Sequence, residues 1–185
     1  MKRLFAALKI NPDPEFLSGY RSLQSAMNNQ QIKWVEERNI HITLKFFGET
    51  EERKLPLISS ILNKRASQTG PIELKLSKLG IFGSSYAPKV IWTGIEPYEQ
   101  LATLMKNIQN DLKPAGFEPD RQNLVPHLTL GRVKMVKDKI LFERAIGQFK
   151  NISSSSTTIG EIILFESILH REGPEYVALE KFQFI

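Results

Sequence analysis

The chain has 185 residues, 41% hydrophobic and 24% charged, the proportions of an ordinary soluble globular protein with enough length for one sizeable core or two small lobes. It contains no cysteine, which excludes disulfides and thiolate metal sites and gives no sign of a secreted fold. Its net charge of +5 comes from 25 Lys and Arg against 20 Asp and Glu, and the basic residues are scattered, which suits a local phosphate site better than non-specific coating of nucleic acid.

No segment approaches the roughly 20 apolar residues that span a membrane. The apolar run in MKRLFAALK stops at Lys9, too short for a secretory signal. A cytoplasmic protein is expected, with a monomer as the default state.

In chain order, RLFAAL (3–8) is predicted as a first strand. NPDP then breaks the chain, and 15–27 shows helical spacing at Phe16, Leu17, Tyr20, Leu23 and Met27. A short extended piece at 32–35 leads into the strand NIHITLKF (39–46). The stretch 49–68 reads as a helix, acidic in its first turn and basic near its end as the helix dipole favours. Pro56 places its start nearby or bends it there. PIELKLSKL (71–79) alternates like a strand, and GIFGSSYAP (80–88) reads as a loop.

The second half repeats this order: a strand at 89–96, a helix at 98–112, the strand HLTLGRV (127–133), a helix at 138–149, one strand over 157–169, and a last strand over 176–185. His41 and His127 lie 86 positions apart, and the same offset carries Leu4 to Val90 and Ile72 to Thr158, each near the start of a strand. The expected fold is α+β: a single bilobal domain of two pseudo-symmetric halves, roughly 1–80 and 88–185. Antiparallel sheets would face a central groove, with helices outside. The serine run 153–156 is too short to link independent domains.

The chemistry lies in two strands. Side chains alternate faces, so His41 and Thr43 point one way and Ile42 and Leu44 the other; His127 and Thr129 behave likewise against Leu128 and Leu130. A polar face must meet water or a ligand, because an unpaired buried imidazole or hydroxyl is costly. One strand histidine is ordinarily a hydrogen-bonded structural residue. Here two of the three histidines share the pattern His-x-Thr-Leu, which points to a functional site. Zinc ordinarily takes three or four protein ligands, and neither motif has a carboxylate at ligand-like spacing; His170 reads as an exposed turn residue. No nucleophile elbow or thiol is present.

Two imidazoles without a metal suit general acid–base chemistry on a phosphodiester. A neutral ring takes a proton from attacking water while a protonated ring gives one to the departing alkoxide. The threonine hydroxyls can donate to the non-bridging oxygens. Strict alternation puts Arg132 on the wrong face, so it reaches the phosphate only if a bulge or twist at Gly131 redirects it. Lys45 is expected on the face of His41 and Thr43. Of Phe46 and Phe47, one is expected to stack on a base and the other to pack in the core. Trp34, Trp92, Phe82 and Phe117 read as core or loop anchors.

These residues resemble the two-histidine (2H) phosphoesterase superfamily, and within it the RNA 2′,3′-cyclic phosphodiesterases, also called 2′-5′ RNA ligases. The likeness runs through RLFAAL, WVEERNIHITLKFFGE, KVIWTGIE, GFEP…PHLTLGRV and FESILHREGPEYVALEKF. It implies a bilobal α+β fold with a central cleft, no metal or other cofactor, and hydrolysis of a 2′,3′-cyclic phosphate, on an RNA end or a small cyclic nucleotide, to a 2′-phosphate. Carried over by position, His41 is the proton donor, His127 the proton acceptor, Thr43, Thr129 and Arg132 the phosphate-binding residues, and Phe46 the base-stacking residue. The near-symmetry of the motifs leaves the acid and base assignment open. Two other readings remain: 2′-5′ RNA joining by reversal of the same reaction, and a non-catalytic module that binds RNA ends.

Overall fold

The first strand, β1 (Lys2–Lys9), explains its own continuous apolar run. Leu4, Ala6 and Leu8 enter the main core on one face, while Phe5 and Ala7 join a smaller cluster with Ile163 and Phe165 on the other. The computed structural model containing it describes residues 1–84, 86–119 and 125–185. Helix α1 (Pro14–Ala26) follows; the Asp13 carboxylate accepts the Phe16 N–H at 2.8 Å, and Pro14 opens the first turn, where no backbone donor is needed. Next come β2 (Gln31–Trp34) and β3 (His41–Thr50). Helix α2 (Leu55–Ala66) starts at the turn holding Pro56, after a short 3₁₀ turn. Strands β4 (Ile72–Gly83) and β5 (Pro88–Glu96) form a hairpin, followed by α3 (Glu99–Leu112) and β6 (Leu128–Met135). Asp138 caps α4 (Lys139–Gln148) by accepting the Leu141 N–H at 2.9 Å. Strands β7 (Thr157–Ile159), β8 (Glu161–Leu169) and β9 (Pro174–Gln183) complete the chain.

The strands form two antiparallel sheets, a four-stranded one in the order β3-β1-β8-β9 and a five-stranded one in the order β2-β6-β5-β4-β7. The fold is α+β. Each sheet draws strands from both parts of the sequence, since β8 and β9 join β1 and β3, while β2 and β4 join β5 and β6. One buried cluster gathers Tyr20, Leu62, Ile108 and Phe142 from the four helices with apolar faces of both sheets. Among the described residues, no helix is long and apolar enough to cross a membrane.

Two sequence expectations change. The stretch read as a loop from 80 is strand up to Gly83, because Gly80, Ile81 and Phe82 pair with Trp92, Ile91 and Val90; Ser85 lies outside the described residues. Glycine is required at position 80, where a Cβ would stand 2.4 Å from the Trp92 ring. The single strand expected over 157–169 is two, for β7 pairs with β4 and β8 with β1, and the chain changes sheets at Gly160. Finally, Ala7 pairs with Thr43 and Trp92 with Thr129, so the partners of the two threonines lie 85 positions apart while the threonines lie 86 apart.

Candidate active site

A cleft of about 550 Å³ lies between the sheets, lined by His41, Thr43, Phe46, His127, Thr129 and Arg132 together with side chains of β1, β2, β8 and β9. The structure thus brings together the six residues that the resemblance assigns to proton transfer, phosphate binding and base stacking. It places His170 elsewhere: that ring is exposed and pairs with Glu175 at 3.0 Å.

The two histidines are held alike. His41 Nδ1 lies 2.7 Å from the Asn39 carbonyl oxygen, and His127 Nδ1 lies 2.9 Å from that of Val125. A carbonyl only accepts, so each Nδ1 carries the hydrogen and Nε2 is the basic nitrogen of the neutral ring. The Nε2 of His41 is 3.1 Å from the Thr43 hydroxyl. Both motifs therefore orient a ring against the backbone two residues earlier and leave the other nitrogen for chemistry.

Beyond each threonine the strand is bulged. In β3, Thr43 faces Ala7 and Lys45 faces Ala6, leaving Leu44 as the extra residue. In β6, Thr129 faces Trp92 and Gly131 faces Ile91, leaving Leu130 as the extra residue. Each bulge shifts the alternation by one, so Phe46 and Arg132 both turn into the cleft. The second bulge falls at Leu130, beside the Gly131 where a bulge or twist is expected. A Cβ at Gly131 would lie 2.8 Å from the Trp34 ring, so only glycine lets that ring cover the bulge. The first bulge corrects the expectation for Lys45. That side chain is buried at 3% exposure, and its Nζ donates to the Glu118 carbonyl at 2.7 Å, away from the cleft. Phe47 packs against the core and meets Phe117 edge-on at 5.3 Å.

A sequence model of the 2′-5′ RNA ligase superfamily matches residues 13–170. The chain belongs to the 2′-5′ RNA ligase superfamily. It is 36% identical over 180 residues to an RNA 2′,3′-cyclic phosphodiesterase of Methanocaldococcus jannaschii, covering 97% of this chain and 99% of that one. To the enzyme of the same name from Methanothermobacter thermautotrophicus it is 34% identical over 162 residues, covering 88% and 86%. The fold matches the crystal structure of a Thermus thermophilus protein with a TM-score of 0.79 at 22% identity, covering 98% and 97% of the two chains. It also matches Escherichia coli LigT complexed with 3′-AMP, with a TM-score of 0.73 at 20% identity over 99% and 98%.

In this member of the 2′-5′ RNA ligase superfamily, aromatic rings surround both imidazoles. His41 stands against Phe5, with centroids 5.1 Å apart, and meets Tyr176 edge-on at 5.3 Å. His127 meets Phe82 edge-on at 4.7 Å, with Trp92 at 6.1 Å and stacked on Phe82. Phe82 and Trp92, expected only as core or loop anchors, thus act as walls for His127. Tyr176 was not singled out at all. Its signal was present in the alternation of β9, once β9 is known to flank β8.

These walls set the electrostatics. Burial pushes the His41 imidazole below the ordinary histidine value; the Asn39 carbonyl opposes this, and the Lys9 and Arg132 cations add to it. Burial likewise lowers His127, with the Val125 carbonyl opposing and Arg132 adding. Burial pushes the Tyr176 phenol up, against Arg132 and Arg3. Both rings are therefore neutral near pH 7 without ligand, and an anion bound in the cleft favours protonation of one. Among the described residues, no three His, Asp or Glu side chains gather as a metal-holding group.

Proposed function

We propose that the chain hydrolyses the 2′,3′-cyclic phosphate at the 3′ end of RNA to a 2′-phosphate, without a metal. The observation that carries this reading is the pair of backbone-anchored imidazoles in one cleft with two hydroxyls and a guanidinium. The names of the archaeal relatives supply the substrate class.

In the proposed reaction, His127 Nε2 takes a proton from water as its oxygen bonds to phosphorus. The phosphorus–3′-oxygen bond breaks, and protonated His41 delivers its Nε2 proton to that oxygen. The 2′-oxygen bond stays intact. Each proton transfer contributes roughly 10²–10⁴-fold. Thr43, Thr129 and Arg132 stabilise the equatorial oxygens, at roughly 10²–10³-fold for each well-placed donor. Phe46, 42% exposed with the Arg3 guanidinium 4.8 Å from its ring centroid, offers a stacking face for the terminal base. With the 5′-hydroxyl of a second RNA in place of water, the same displacement gives a 2′-5′ linkage. We further propose that the whole chain is one two-lobed domain built on an internal repeat.

The test is end-product analysis of a labelled RNA carrying a cyclic end, with EDTA present. Accumulation of the 2′-phosphate, lost in His41→Ala and in His127→Ala, is the expected result. Full activity in both variants, or tight binding of the end without turnover, overturns the reading, and the latter outcome favours a non-catalytic end-binding module.

A further inference from the structure

Four cations line the cleft, Arg3, Lys33, Arg132 and Lys134, and no carboxylate lines it among the described residues. Three of the four share one corner. Lys33 on β2 stands across from Arg132 on β6 in the strand ladder, and Lys134 follows Arg132 by two residues. All three side chains are exposed. Several cations outside the cleft are matched, as in Lys2–Glu166, Arg21–Glu37 and Arg65–Asp111. The side chains of Lys33, Arg132 and Lys134 make no ion pair or hydrogen bond with any described residue.

One cyclic phosphodiester carries a single negative charge, which Arg132 alone can balance. Two further unmatched ammonium groups beside it raise the potential well beyond that need. Their arrangement has a direction. Along β6 the cleft presents the Thr129 hydroxyl, then the Arg132 guanidinium, then the Lys134 ammonium, at increasing distance from His127. Arg132 and Lys134 are about 7 Å apart along the strand, and Lys33 is one strand spacing away, about 5 Å. Long lysine side chains on such a frame can follow a polyanionic backbone.

We propose that Lys33 and Lys134 bind the phosphodiester groups of the RNA strand immediately 5′ of the reacting end. The protein then favours an oligoribonucleotide over a mononucleotide 2′,3′-cyclic phosphate. The identity of the occupant rests on the hydrolysis reading above. The two lysines touch neither the reacting phosphate nor the histidines, so they govern strand binding and not the chemical step.

The test compares Lys33→Gln, Lys134→Gln and the double variant with Lys106→Gln, an exposed lysine of α3 away from the cleft. Fluorescence anisotropy with a labelled ribo-oligomer ending in a 2′-phosphate reads strand binding as salt is varied. Hydrolysis of a mononucleotide 2′,3′-cyclic phosphate reads the chemical step. Each cleft substitution is expected to weaken oligomer binding roughly four-fold at 0.15 M salt and to reduce the log–log salt slope by about 0.7, the contribution of one single-strand phosphate contact. Mononucleotide kcat/KM should fall less than oligomer affinity in the cleft variants, and Lys106→Gln should change neither. Unaltered oligomer affinity in the double variant overturns the proposal, as does an equal loss of mononucleotide turnover. Should the unsubstituted protein turn over no cyclic phosphate, the hydrolysis reading fails, while the salt slopes still decide the role of the lysines.

Discussion

Phe46 and Arg132 occupy corresponding places, each three residues beyond the threonine of its motif and each turned into the cleft by a bulge two residues before it. A common backbone device thus delivers two different side chains, an aromatic face on one side and a guanidinium on the other. Their substitution should separate binding from chemistry. Arg132→Gln should lower kcat/KM on a cyclic phosphate by about 10²–10³-fold, the loss expected for a donor aimed at developing charge. Phe46→Ala should raise KM with kcat largely retained, because stacking serves ground state and transition state equally. Steady-state kinetics of the two variants on one substrate checks both, and a kcat defect in Phe46→Ala would count against the stacking role.

The bulge in β6 is held from behind. The Tyr20 hydroxyl lies 2.7 Å from the Val35 carbonyl and 2.8 Å from that of Leu130, the extra residue, and the Val35 N–H donates to the same Leu130 carbonyl at 2.8 Å. Tyr20 is fully buried on α1, so its hydroxyl ties the helix to the strand irregularity that aims Arg132. Tyr20→Phe keeps the ring and removes the hydroxyl. It should destabilise the fold by about 1 kcal/mol, measurable by denaturant unfolding, and should lower kcat/KM without touching the cleft. Activity equal to the parent at full saturation and at low substrate would show that Arg132 holds its place without this support.

How much of this was readable beforehand follows from side-chain parity. The alternation of His41-Ile42-Thr43-Leu44 and its twin located the polar face, and the two histidines needed no structure to be paired. Parity also shows that Arg132 requires a bulge or twist to enter the groove, with Gly131 beside it as the visible cue. The same bulge in β3 had no cue, because Leu44-Lys45 contains neither glycine nor proline. Lys45 was accordingly misplaced. The walls of the site come from contacts distant in sequence: Tyr176 reaches His41 only because β9 joins the sheet of β1 through β8, which the exchange of strands between the two parts of the chain conceals.

Tyr176 gives a way to tell positioning from proton transfer. Its ring meets His41 edge-on, and its phenol is pushed up by burial, so it stays protonated across the working range. If its task is to hold the imidazole, Tyr176→Phe should keep nearly full kcat with an unchanged pH profile. Tyr176→Ala, which removes the wall, should lose about 10–100-fold in kcat, the scale of a small misplacement of a reacting group. A large loss in Tyr176→Phe would instead make the hydroxyl a participant.

The lowered histidines fix the direction of the pH–rate profile. The proposed reaction needs one ring neutral and the other protonated, so kcat/KM should be bell-shaped with two apparent pKa values belonging to the pair. Burial and Arg132 push both rings below the ordinary value near 6.5, which places the optimum of the free protein on the acid side of that value. Arg132→Gln removes a cation that acts on both rings, so both limbs should move to higher pH. An Arg132→Gln profile unmoved from the parent's would show that the guanidinium does not set the potential at the two rings.

The same shifts make stability depend on pH in a defined window. In the unfolded chain His41 and His127 take up protons at the ordinary value near 6.5, while in the folded protein they resist protonation down to lower pH. The unfolded state then binds more protons, so stability is full above about 6.5 and declines as pH falls from there through the lowered folded values. The carboxylates held below their usual range, Asp13, Glu37 and Asp111, lose their contribution only near pH 4 and below, leaving pH 5–6.5 to the histidines. Urea unfolding midpoints measured between pH 5 and pH 7.5 should therefore fall toward pH 5 in the parent, and the decline should be shallower in His41→Gln and flatter still when His127→Gln is added. An equally steep decline in the double variant would place the titrating groups elsewhere in the chain.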